Sequence, residues 1–218
     1  MKSRIANVVA GIGGILWLPL TVFGFGEISG FSSMINEPST KIVDYFVSAN
    51  VTRVYLGEYL KILGFVLLVV FATRLWAILR SHDGGSGWLS TLALGGVLLF
   101  VVLSLAGIAP LLAGTYRAAH NGMDTALYVA LMDVRNVPTF MGFFVGALFL
   151  IPTGIVMVWT RAFPRWLGWI GIILGLLVMV GAVVPEEEIA FQASVLMGVW
   201  VLILGVILIA KAGAYSEP

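Results

Sequence analysis

The chain contains no cysteine, which at once removes disulfides, thiolate metal sites, iron–sulfur clusters and a cysteine nucleophile. Charge is scarce as well: 11% of the 218 residues are Asp, Glu, Lys or Arg, where a soluble domain carries roughly 25%. With a net charge of +1 and no basic run, nothing implies a polyanionic partner, and nucleic-acid binding is set aside. The only two histidines, His82 and His120, fall between apolar runs; a haem or quinone-linked carrier would place histidines inside its spans. No GxSxG, HExxH, P-loop or dinucleotide fingerprint occurs. Gly11, Gly13 and Gly14 follow no strand, so they read as helix-packing glycines and not as a phosphate cradle. No catalytic residue, no metal site and no cofactor is therefore expected.

What the chain has in quantity is apolar surface. Sixty per cent of it is hydrophobic and the mean hydropathy is +1.06, so its first partner is the lipid bilayer. The organising stretch is 51–80. Its head, VTRVYLGEYLK, carries Arg53, Glu58 and Lys61, and the apolar run that follows closes with Arg74, Trp76 and Arg80. About 20 apolar residues in a helix cross a bilayer core of about 30 Å, so this segment spans with charge at both ends.

Other runs repeat that pattern. Ile5–Phe25 is long enough to span and lacks a clear cleavage site, so it is expected to be a retained first helix, kinked at Pro19. Ala6, Ala10 and Gly14 share one of its faces and suit close packing. Trp88–Gly114 is the third span, interrupted near Pro110; Thr139–Thr160 the fourth, with Gly142 and Gly146 in GxxxG spacing; Trp166–Val184 the fifth; and Ile189–Ala210 the sixth. Two short interfacial helices are expected on one side: 39–50, with Ile42, Val43, Phe46 and Val47 as its apolar stripe, and 125–137, ended by Pro138.

With the N-terminus cytoplasmic, Lys2, Arg4, Arg74, Arg80, Arg161, Arg165 and Lys211 fall inside with only two acids, Asp83 and Glu217. Lys41, Arg53, Lys61, Arg117 and Arg135 fall outside with nine acids. This asymmetry orients the chain with both termini in the cytoplasm. The fold expected is thus all-α: one polytopic domain over 1–218, with six transmembrane helices and two interfacial helices on the outer side. The fifth span, RAFPRWLGWIGIILGLLVMVGAVVP, resembles the penultimate helix of uncharacterised bacterial multi-pass membrane proteins known only as domains of unknown function. That resemblance implies the multi-pass fold, a bacterial origin and hence the bacterial plasma membrane. It transfers no site.

The polar residues that need an explanation gather at the outer heads of the spans. Glu58 and Lys61 are i, i+3 neighbours where the second span begins; Arg117 follows the third, Asp133, Arg135 and Asn136 precede the fourth, and Glu27 ends the first. Ionisable groups at membrane depth are normally paired or face water. Glu27, Glu58, Lys61, Arg117, Asp133 and Arg135 can therefore line an outward-facing polar vestibule for a small polar or charged solute, or Glu58 and Lys61 can pair and snorkel outward. His120 and Asp124 have metal-pair spacing, but with no second histidine nearby they read as solvated loop groups. Glu186, Glu187 and Glu188 follow Pro185 and read as first-turn charges on the sixth helix. Three roles follow: a solute-binding or transport protein, a non-catalytic accessory subunit packed on another membrane protein or on its own copies, and more distantly an intramembrane enzyme.

Overall fold

A computed structural model describes residues 2–24, 37–83, 86–181 and 187–213. They form α1 (Lys2–Val22), α2 (Ser39–Ser48), α3 (Val51–His82), α4 (Trp88–Ala106), α5 (Ile108–His120), α6 (Thr125–Thr160), α7 (Arg165–Gly181) and α8 (Glu187–Ala210), with no strand among the described residues. Four helical stretches are long and apolar enough to cross a membrane: Ser3–Val22, Val51–His82, Trp88–His120 and Thr125–Thr160. Two more apolar helices, Arg165–Gly181 and Val195–Ala210, are shorter.

The longest of the early helices sets the axis. Asn50 caps α3 by accepting a hydrogen bond from the Arg53 amide at 3.0 Å. Its residues 54, 58, 61, 65, 68, 72, 75 and 79 are all buried, and this alternation of four and three draws one stripe along the whole helix. At 1.5 Å per residue the 32 residues of α3 reach about 48 Å, well beyond a hydrocarbon core of about 30 Å. The turns carrying Val54 and Glu58 accordingly lie near the end of the bundle.

Six helices close a ring. α1 lies against α3 and α8, α4 against α3 and α6, and α7 against α6 and α8. Each contributes to one apolar core, with Trp17, Phe65, Phe100, Leu150, Leu174 and Trp200 from the six in turn. Phe100 meets Trp17 and Phe65 edge-on, at 6.3 and 5.9 Å between ring centres. Glycine allows the closest crossings. A Cβ on Gly154 would sit 2.5 Å from the Gly168 carbonyl oxygen and one on Gly168 2.7 Å from that of Gly154, so α6 and α7 meet backbone to backbone. Gly11 of α1 and Gly205 of α8 face each other in the same reciprocal way. Gly142 and Gly146, by contrast, stand at ordinary contact distance from Phe100.

At the opposite end from Glu58 a polar clamp ties three helices. The buried Asn7 accepts from Arg74 Nε at 2.6 Å and donates to the Ala212 carbonyl at 2.9 Å, joining α1, α3 and the end of α8. Nearby, Asp83 Oδ2 accepts from the amide and hydroxyl of Ser90, closing the short turn from α3 into α4.

A second, smaller core covers the Glu58 end. Ile42 and Phe46 of α2, Val54, Leu111 of α5, and Tyr128 and Met132 of α6 form it, with Phe46 stacked on Tyr128 at 5.2 Å. Several sequence expectations are corrected here. Residues 125–137 are not a separate interfacial helix: α6 runs unbroken through Pro138 and Pro152, because packed neighbouring helices can support the backbone around a proline. The interruption expected near Pro110 falls at Gly107, between α4 and α5; Pro110 itself lies in the first turn of α5, where its missing N–H costs no helical bond. Helix α5 then continues to His120, through residues expected to be loop. Val47, assigned to the stripe of α2, is 67% exposed.

The packing makes a direct forecast. Gly168→Ala is expected to destabilise the protein in detergent by roughly 1–3 kcal/mol, as overpacking does, whereas Gly95→Ala, with nothing within 4 Å of the added carbon, should be neutral or stabilising by up to about 1 kcal/mol. Thermal unfolding of both variants checks this, and equal shifts would contradict the α6–α7 crossing.

Candidate functional site

Between the two apolar cores lies a layer of polar side chains. On α3 the buried stripe reads Val54, Glu58, Lys61, Phe65, passing from the small core through two ions into the large one. On α6 Met132 belongs to the small core, Arg135 and Asn136 follow, and Phe143 packs against the large one. Lys61 Nζ sits 2.5 Å from Glu58 Oε1. Exposure is 0% for Glu58, 5% for Lys61, 7% for Arg135 and 5% for Asn136. Arg135 Nη1 donates to Asn136 Oδ1 at 3.1 Å, and Arg135 and Glu58 both lie within electrostatic reach of Lys61.

The end of α1 seals one wall. A Cβ on Gly24 would come within 2.8 Å of Lys61 Cγ and 3.3 Å of the Lys61 amide nitrogen, so only glycine fits this approach. From α2, Tyr45 turns its buried hydroxyl to the same layer. Burial pushes its pKa up to about 12, with Arg135 pulling down and Glu58 pushing up. The buried atoms of the layer without a hydrogen-bond partner include an acceptor, Glu58 Oε2, and a donor, Asn136 Nδ2. Such groups are rare in folded proteins and each costs about 1–3 kcal/mol.

The structure thus brings Glu58, Lys61 and Arg135 together. It does not bring in Arg117 or Asp133, which are exposed, and Glu27 lies outside the described residues. Helical phase explains the difference. Buried positions on α6 run Tyr128, Met132, Arg135, so Asp133 points about 100° away from that face. On α5 the buried face is Leu111, Gly114 and Thr115, which Arg117 does not share. Tyr45, not singled out from the sequence, is a member of the layer. His120 is the last residue of α5, stacks on Tyr116 and bonds its carbonyl, while Asp124 caps α6 through the Leu127 amide; the two do not share a helix. Among the described residues no group of His, Asp or Glu has the geometry to hold a metal ion.

Buried ions of opposite sign depend on each other: each costs several kcal/mol to dehydrate, and the loss of one leaves the other uncompensated. Lys61→Met alone is expected to destabilise by about 3–5 kcal/mol, and the double change Glu58→Gln with Lys61→Met by clearly less. Additive shifts in thermal unfolding would place both groups in water. Alkaline titration gives a second check. Because the folded pKa of Tyr45 is raised, its contribution is complete below about pH 10, the unfolded value, and is lost as pH rises towards 12. Stability should therefore fall more steeply over that window in the parent than in Tyr45→Phe.

No curated protein and no solved structure matches the chain. One family model does, over residues 9–212, from within α1 to just beyond α8, and its description is a domain of unknown function, DUF4386. The chain belongs to the DUF4386 family.

Proposed function

We propose that this protein crosses a bacterial plasma membrane six times, with both termini in the cytoplasm, and binds or carries a small polar or charged solute at its outer end. The observation that carries the proposal is the pair of buried atoms left without partners, Glu58 Oε2 and Asn136 Nδ2, inside an ionic layer held between two apolar cores. A solute with one donor and one acceptor completes both atoms, which is how polar groups in a largely apolar site fix a ligand. A helix interruption supports the same reading: the break at Gly107 separates α4 from α5, both of which pack against α6, and interrupted helices commonly border transporter sites. The ring supports the reading of six spans, since α7 and α8 occupy places in it equivalent to the longer helices. The basic residues Arg74, Arg80, Arg161, Arg165 and Lys211 support the orientation.

Thermal stabilisation of the purified protein by a panel of amino acids, polyamines and small organic anions tests the binding claim. At least one class should raise the melting temperature of the parent and leave folded Glu58→Gln unmoved. A stoichiometric membrane-protein partner recovered in mild detergent, with no small molecule acting, would replace this reading with that of an accessory subunit. Reporter fusions test the topology: those after Ser81 and Arg161 should report cytoplasm, and those near Ser33, Asn121 and Glu187 the exterior. Two misplaced reporters would overturn six spans.

A further inference from the structure

Far from the ionic layer, where α3 ends and α4 begins, a small cavity lies between α3, α4 and α6. Leu75, Trp76, Ala93, Leu94, Phe149 and Thr153 line it, and it leaves about 10 Å³ in which the centre of a water molecule fits. Two polar atoms of this lining, Trp76 Nε1 and Thr153 Oγ1, are buried without a hydrogen-bond partner. The omission at Thr153 stands out against other threonines of this chain. Thr21, Thr73, Thr115 and Thr160 each donate to the carbonyl four residues back, the usual recourse of a helical threonine. Thr153, at 0% exposure, does not. The indole of Trp200 finds the Leu167 carbonyl at 3.0 Å, whereas that of Trp76 finds no protein acceptor. The Trp76 ring is held in place by Arg80, whose guanidinium carbon stands 5.3 Å from its centre.

We infer that this cavity is a binding site for one ordered water molecule, which accepts a hydrogen bond from Trp76 Nε1–H and donates one to Thr153 Oγ1. Size and chemistry agree on the occupant. The space is that of a single water, and two facing polar atoms supply the minimum number of partners a buried water requires. An apolar occupant would leave both atoms unsatisfied. The water bridges α3 and α6 across the flank of α4, so it joins helices that are not neighbours in the ring. Its role is to satisfy Trp76 and Thr153, neither of which finds a protein partner.

The test is a water–indole nuclear Overhauser measurement on the full chain in detergent, labelled with nitrogen-15 tryptophan. Trp76→Phe assigns the indole resonance. The expected result is a cross-peak between that N–H and a long-lived water, retained in Thr153→Ser and lost in Thr153→Val while the indole signal itself persists. Absence of the cross-peak in the parent, its replacement by contacts to detergent chains, or its survival in Thr153→Val overturns the assignment. Should Thr153→Val fail to fold, the parent and Thr153→Ser spectra decide the matter alone.

Discussion

The dehydrated pair Glu58–Lys61, with Arg135 and Asn136 across from it, is the constraint on which the rest of the structure depends. Two ions on one face of α3, three residues apart, cannot be placed in an apolar interior unless other elements complete their surroundings. The chain supplies those elements from four directions. The glycine end of α1 closes over Lys61, α2 delivers Tyr45, α6 brings Arg135 and Asn136, and the small core of Phe46, Leu111 and Met132 shuts the layer from above. An unusually long α3 and α6 follow from the same requirement, since each must traverse the large core and still reach the small one.

Much of this could be read from the residues. The apolar runs pointed to long helices, four of which are long and apolar enough to cross a membrane, because hydropathy over about 20 residues is a strong signal, and Glu58 with Lys61 stood out as ionisable i, i+3 neighbours at the head of an apolar run. Other features were hidden for physical reasons. Pro138 marks a helix end in a soluble chain, yet in α6 the surrounding helices carry the backbone past it. Arg135 and Asp133 are equally polar and two residues apart, and only the phase of α6 separates the buried one from the exposed one. Asn7 was legible in principle, as the one amide within an apolar first helix, but its partners Arg74 and Ala212 lie 67 and 205 residues away in the sequence. The site membership of Tyr45 depends on how α2 docks, which no local pattern encodes.

The two ends of the bundle differ in how their polarity is satisfied. At the Asn7 end the charged groups close on one another, Arg74 to Asn7 to the Ala212 carbonyl and Asp83 to Ser90, and the atoms left over there, Trp76 Nε1 and Thr153 Oγ1, are neutral and border a space the size of one water. At the Glu58 end a donor and an acceptor are left over. A closed set of hydrogen bonds suits a fixed joint, while an incomplete one suits a site that takes something from outside. That contrast is why the ligand proposal belongs to one end and not the other.

The natural absence of cysteine makes the central claim directly measurable. Single cysteines placed at Asn136 and at Asp133, three residues apart on α6, can be reacted with a charged maleimide in the detergent-solubilised protein without background labelling. A sealed ionic layer predicts rapid labelling of Asp133→Cys and labelling of Asn136→Cys slower by about 100-fold or more, as befits a site reached only through local opening that costs a few kcal/mol. The difference should vanish on unfolding. Comparable rates at the two positions in the folded protein would show that water already fills the layer, and would contradict the account.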